Sequence, residues 1–189
     1  MKAFGIAVIS LLFATLLYAG PTAALDGMAG IPFGSTADQV KAAMDARGAV
    51  LESGSSGEHL HFRGGSFNND PAGSWHFYFA DGKLYKASVN ISPPDVQYIP
   101  TYNRIAKAIS DKYGPPFQAT TLNINPDELS NLIGSGKAIL ESDWRVESPG
   151  SRSIVCRLGG HSPTSVIVRI IYQDDVIDAQ VAAKEKDDI

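Results

Sequence analysis

The stretch SWHFYFADGKLYKASVNI, residues 74–91, constrains the fold more than any other part of the chain. Trp75, Phe77 and Phe79 alternate with His76 and Tyr78, the period of a strand with one face in a core. Asp81–Gly82 is the residue pair that tight turns between antiparallel strands favour. Beyond it, Tyr85, Ala87, Val89 and Ile91 fall on one face, and Lys86, Ser88 and Asn90 on the other. A chain with this hairpin must bury one face of an antiparallel sheet and leave the other wet. HLHFR, residues 59–63, alternates in the same way, with Leu60 and Phe62 inward.

Helical signals occur before and after these strands. Ser35 or Thr36 can cap a helix with Asp38 or Gln39 three residues on, and Gly48 closes it, so a helix is expected over roughly 36–47. Tyr98, Tyr102, Ile105, Ile109 and Tyr113 recur at steps of three and four and define a second helix, ended by Gly114 and Pro115–Pro116. Asn125, Pro126 and Glu128 open a short third one. FQATTL is read as a short strand, and three longer strands are expected at roughly 138–146, 153–158 and 164–172. The order helix then strands occurs twice, before and after Pro93–Pro94. The expected fold class is α+β: one antiparallel β-sheet of six or seven strands with two or three helices packed on one face.

The chain opens MKAFGIAVISLLFATLLYAGPTAALDG. Lys2, the apolar run from Ala3 to Tyr18 and the small residues from Ala19 to Ala24 have the layout of a secretory signal peptide. The run is shorter than the about 20 apolar residues a spanning helix needs. Cleavage is expected after Ala24, with Ala19 as the alternative. Residues 1–24 are thus read as a signal peptide and 25–173 as a single domain. Residues 174–189 are read as a charged C-terminal tail, partly helical or disordered. The expected location is periplasmic or secreted, with no membrane span after cleavage.

Cys156 is the only cysteine. It lies in the β-type run SIVCRLGG and is expected to be a buried structural thiol. A net charge of -4 with no run of lysines or arginines argues against a nucleic-acid partner.

Several stretches carry a resemblance: IPFGSTADQVKAAM, FADGKLYKASV, AISDKYGPP, DWRV and the late VIVRIIY. Together they resemble small exported bacterial proteins of the β-lactamase-inhibitor-like and outer-membrane-assembly-lipoprotein-like type. The resemblance spans about Gly30 to Tyr172 and rests on helix entries, a hairpin turn and a helix exit. It implies helices on one face of an antiparallel sheet, and a binding or assembly role rather than catalysis. No cysteine follows the apolar leader, so the tethering of the lipoprotein branch does not carry over.

Two sets of side chains are candidates for function. His59, His61 and His76 all project from the polar face of one hairpin, where solvent-facing side chains are expected. If the register brings them together, three imidazoles could take zinc or another transition metal. Tyr78, Phe67 and Tyr98 would form an aromatic protein-binding patch if they lie on that face or its rim. His161 beside Ser162, and the glycine- and asparagine-rich RGGSFNND, read as turns. Asn90 in the sequon NIS is discounted as a glycosylation site in a bacterial-type export. No catalytic motif is found, and no resident cofactor is expected. The functional expectation is an exported, non-catalytic module that binds another envelope or extracellular protein, with a metal-binding histidine face as the alternative.

Overall fold

The computed structural model describes residues 23–94, 97–120, 125–146, 151–160 and 165–187. The expected signal peptide lies almost wholly outside the described residues, as do His161 and Ser162.

Eight strands form one fully antiparallel sheet: β3 (Ala49–Leu51), β4 (His59–Gly64), β7 (Ser74–Ala80), β8 (Lys83–Ile91), β12 (Ile167–Asp174), β11 (Arg152–Gly159), β10 (Leu140–Val146) and β9 (Gln118–Ala119), in that spatial order. The first four in this order come from the N-terminal part of the chain and the last four from the C-terminal part. The seam between the two sets is β8 against β12, the final strand of each, with Val89 opposite Ile170 and Ala87 opposite Tyr172. Two small hairpins accompany the sheet: β1 (Gly27–Met28) with β2 (Ile31–Pro32), and β5 (Ser66–Phe67) with β6 (Asp70–Pro71). The second turns through Asn68 and Asn69, both at positive φ, where asparagine is among the better-tolerated residues.

The alternation read from residues 74–91 is realised up to one irregularity. Trp75 and Phe77 face inward against Val89 and Ala87. Between Tyr78 and Phe79 the register shifts, so Phe79 opposes Leu84, and both Leu84 and Tyr85 are buried. A β-bulge of this kind admits an extra residue and increases the local twist.

Three helices cover the inward face. In α1 (Ala37–Asp45) Thr36 and Gln39 form the reciprocal capping box, and Val40 and Met44 are buried. In α2 (Tyr98–Tyr113) Thr101, Tyr102, Ile105 and Ile109 are buried. In α3 (Pro126–Gly134) the Asn125 side chain accepts from the Glu128 N–H at 2.8 Å, and Ile133 is fully buried. The core lies between these helices and the sheet, around Trp75, Phe77, Trp144, Ile154 and Leu158. Both indole N–H groups reach carbonyls, Trp75 to Gly64 at 2.8 Å and Trp144 to Gly114 at 3.1 Å. Cys156 is fully buried, and that burial pushes its thiol pKa up to about 12.

Two expectations are corrected. Among the described residues the sheet has eight strands rather than six or seven, with the short β3 and β9 at its two edges. Among the described residues the helices number four, and they do not share one face. α4 (Asp175–Asp187) follows β12 and turns back over the other face, against β8, β11 and β12. It is held by polar ties to that face. The Asp175 carboxylate accepts from Ser153 at 2.6 Å, from Ser151 at 3.0 Å and from Gln173 at 3.0 Å, and Lys86 pairs with Asp178 at 3.0 Å. Among the described residues no helix is long and apolar enough to cross a membrane.

Candidate functional site

The register of β4 and β7 settles where the histidines go. His61 is directly opposite His76, and His59 is directly opposite Tyr78. All four side chains leave the face that α1, α2 and α3 do not cover, and α4 lies over the neighbouring strands β8, β12 and β11. The four rings form a two-by-two tile. His61 lies on His76 with centroids 4.5 Å apart and planes 8° from parallel. His59 lies on Tyr78 at 4.7 Å and 19°.

The diagonal contact is of another kind. His59 Nε2 and His76 Nδ1 are 3.2 Å apart, the ring planes differ by 2°, and the centroids are 5.4 Å apart. That centroid distance is the N···N distance extended by both ring half-widths. The two rings therefore meet edge to edge in one plane, joined by an N–H···N hydrogen bond, rather than face to face.

A chain of hydrogen bonds leads into that bond from the neighbouring strands. Arg169 Nε, which can only donate, gives to Asn90 Oδ1 at 2.8 Å. The Asn90 amide then gives to Ser74 Oγ at 2.9 Å. Ser74 Oγ keeps both its proton and a second lone pair, and it faces His76 Nε2 at 3.4 Å. With Ser74 donating, His76 Nε2 accepts, its Nδ1 carries the proton and His59 Nε2 receives it; with Ser74 accepting, both tautomers reverse. The chain crosses β4, β7, β8 and β12 on one face and leaves both imidazoles neutral. Burial is the main reason the His76 pKa falls to about 4, and His61, His59 and Arg169 lower it further. His59 is lowered by burial and then by His61.

The aromatic patch expected from the sequence is not assembled. Tyr78 is on the open face, but Phe67 is on the helix side, edge-on to Trp75 at 6.0 Å. Tyr98 belongs to α2, packs against the core and donates to the Ser130 carbonyl at 3.2 Å. Phe67 instead borders a cleft of about 280 Å³ between the Asn68–Asn69 hairpin and α2. Two cations at that cleft are already engaged, Arg47 with the Ala29 carbonyl and Lys112 over the Tyr113 ring.

Ser74, Asn90 and Arg169 are the residues that sequence reasoning missed. A signal for them was present: Arg169 interrupts the apolar run VIVRIIY at a face position, and Asn90 stands on the same face of β8. No group of three or more His, Cys, Asp or Glu side chains forms a ready metal cage among the described residues. Comparison of the chain with protein-family models, curated proteins and solved structures finds no match.

Proposed function

We propose that this protein is an exported, non-catalytic binding module that presents the part of the β4, β7, β8 and β12 face left open by α4 to an acidic surface of another envelope or extracellular protein. The observation that carries the reading is the charge pattern of that face. The chain as a whole is acidic, at -4. Yet the strand positions of this face hold Arg63, Lys86 and Arg169 together with the four-ring tile, and no carboxylate. Arg63 and Lys86 are answered by Glu52 and Asp178 from outside the strands, whereas Arg169 meets neutral Asn90. Complementary charge of this sort steers encounter and selects partners. The rings of Tyr78 and His59 are held by stacking, so little side-chain freedom is lost when a partner covers them. The resemblance to exported inhibitor-like and assembly-type modules supports a binding role as well.

The test is site-specific photocrosslinking in the producing cells. A crosslinker in place of Tyr78 should give discrete protein adducts, and one in place of Lys41, on the helix side, should not. Arg169→Glu should weaken the Tyr78 adducts. Equal adducts from both faces, or indifference to Arg169→Glu, would overturn the reading.

A further inference from the structure

We propose that His59 and His76, joined by His61, form a binding site for one transition-metal ion of the imidazole-preferring class, Cu2+ or Zn2+. The proposal stands on the geometry of the tile and does not depend on the docking role of the face.

Residues two apart on a strand project from the same side, so His59 and His61 on β4 necessarily share a face. The register then adds His76 directly across from His61. Three imidazoles thus converge through backbone pairing alone. His59 Nε2 and His76 Nδ1 are already 3.2 Å apart. Two nitrogens bound side by side to one ion, each at about 2.0–2.1 Å, have a separation of this size. At present a proton occupies the line between them. An ion takes its place if each ring turns about its Cβ–Cγ bond until both lone pairs meet at a point off that line. His61 lies against the face of His76 at 4.5 Å and stands beside the pair as a further imidazole. Water completes the shell.

The proton balance closes without an ionised imidazole. In the ligating tautomers His76 carries its proton at Nε2, where Ser74 Oγ can accept at 3.4 Å, and His59 carries its own at Nδ1. The Ser74 hydroxyl proton turns away to solvent. Ser74, Asn90 and Arg169 then hold the ligand ring from behind, the arrangement that fixes the tautomer of most metal-bound histidines. The donor set is all nitrogen. Cys156, the only thiol, is buried on the opposite side of the sheet, and Glu52, the carboxylate beside His61, is engaged by Arg63 at 3.2 Å. Such a set suits copper, zinc or nickel and is poor for calcium or magnesium.

The untagged exported protein is titrated with Cu2+ and with Zn2+ near pH 7 by calorimetry. One equivalent of ion is expected, and binding is lost in His59→Gln and in His76→Gln. Asn90→Ala weakens it by roughly tenfold, as an orienting partner should. Nitrogen NMR of the wild-type protein keeps the test decisive even where a variant folds poorly: Zn2+ must shift His59 Nε2 and His76 Nδ1. Absence of those shifts at saturating Zn2+, shifts confined to His161, or full affinity in the folded double variant would each overturn the proposal.

Discussion

The Tyr102 hydroxyl lies 2.8 Å from the Ser142 hydroxyl, a buried hydrogen bond that pins α2 to β10 across the core. Among the described residues the two hydroxyls partner each other, and burial pushes the Tyr102 pKa up to about 12. Ser142→Ala should therefore cost about 1–3 kcal/mol, because it leaves the tyrosine oxygen buried and unsatisfied. Adding Tyr102→Phe should recover part of that loss. Urea denaturation of the two single variants and the double variant measures the coupling directly.

Phe77 is fully buried between the sheet and the helices, edge-on to Phe62 at 5.8 Å. Phe77→Ala removes a large ring and leaves a cavity that neighbouring strands cannot close. A loss of about 3–5 kcal/mol is expected. Equilibrium unfolding monitored by tryptophan fluorescence would show it, since Trp75 is stacked on the same ring at 6.4 Å.

The histidine tile gives stability a defined pH dependence. His76 has a folded pKa of about 4, below its ordinary value of about 6.5, and His59 is also lowered. In that interval the unfolded chain binds more protons than the folded one. Their contribution is thus fully present above pH about 6.5 and is lost as pH falls towards about 4. His76→Gln should flatten the slope of stability against pH in this window. An NMR titration of the His76 ring should give a midpoint near 4.

The ties of α4 are polar and partly exposed. Lys86 and Asp178 retain 28% and 30% exposure, which caps the worth of their ion pair at about 1 kcal/mol or less. Asp178→Asn should leave the unfolding midpoint of the sheet nearly unchanged. It should raise hydrogen exchange in α4 selectively. Equal acceleration in β8 and β12 would show instead that α4 is part of the cooperative core.

Cys156 is fully buried with its thiol pKa raised to about 12. It should resist a thiol reagent in the folded protein and react at once in denaturant, since the thiolate is the reactive form. Timed labelling with an aromatic disulfide reagent distinguishes the two.

Much of this architecture is legible in residues 74–91. The alternation there places Trp75 and Phe77 inside and His76 and Tyr78 outside, and Asp81–Gly82, both at positive φ, makes the turn as read. The pairing of His61 with His76 is not legible, because residues 65–73 contain a second hairpin whose geometry sets the register. β1 and β2 escape notice because two residues carry no periodicity. α4 escapes placement for a related reason: DVIDAQVAAKEKD has good helix formers but no apolar stripe, so only Asp175 and Asp178 decide which face it meets. Phe67 and Tyr98 sit outside the long strands, where alternation says nothing about direction. Asn90 and Ser74 are ordinary polar face residues until the pairing of β7 with β8 puts them side by side.

The seam between β8 and β12 has a consequence for how the chain is made. β8 is complete by Ile91, but its partner begins at Ile167. Throughout synthesis of the intervening stretch, Ala87, Val89 and Ile91 stand on an unfinished outer strand with an open row of amides and carbonyls. Such a rim readily recruits another chain. A product that ends before residue 167 should therefore pair with its own copies along β8, and prompt arrival of the last strand is what keeps newly made molecules apart.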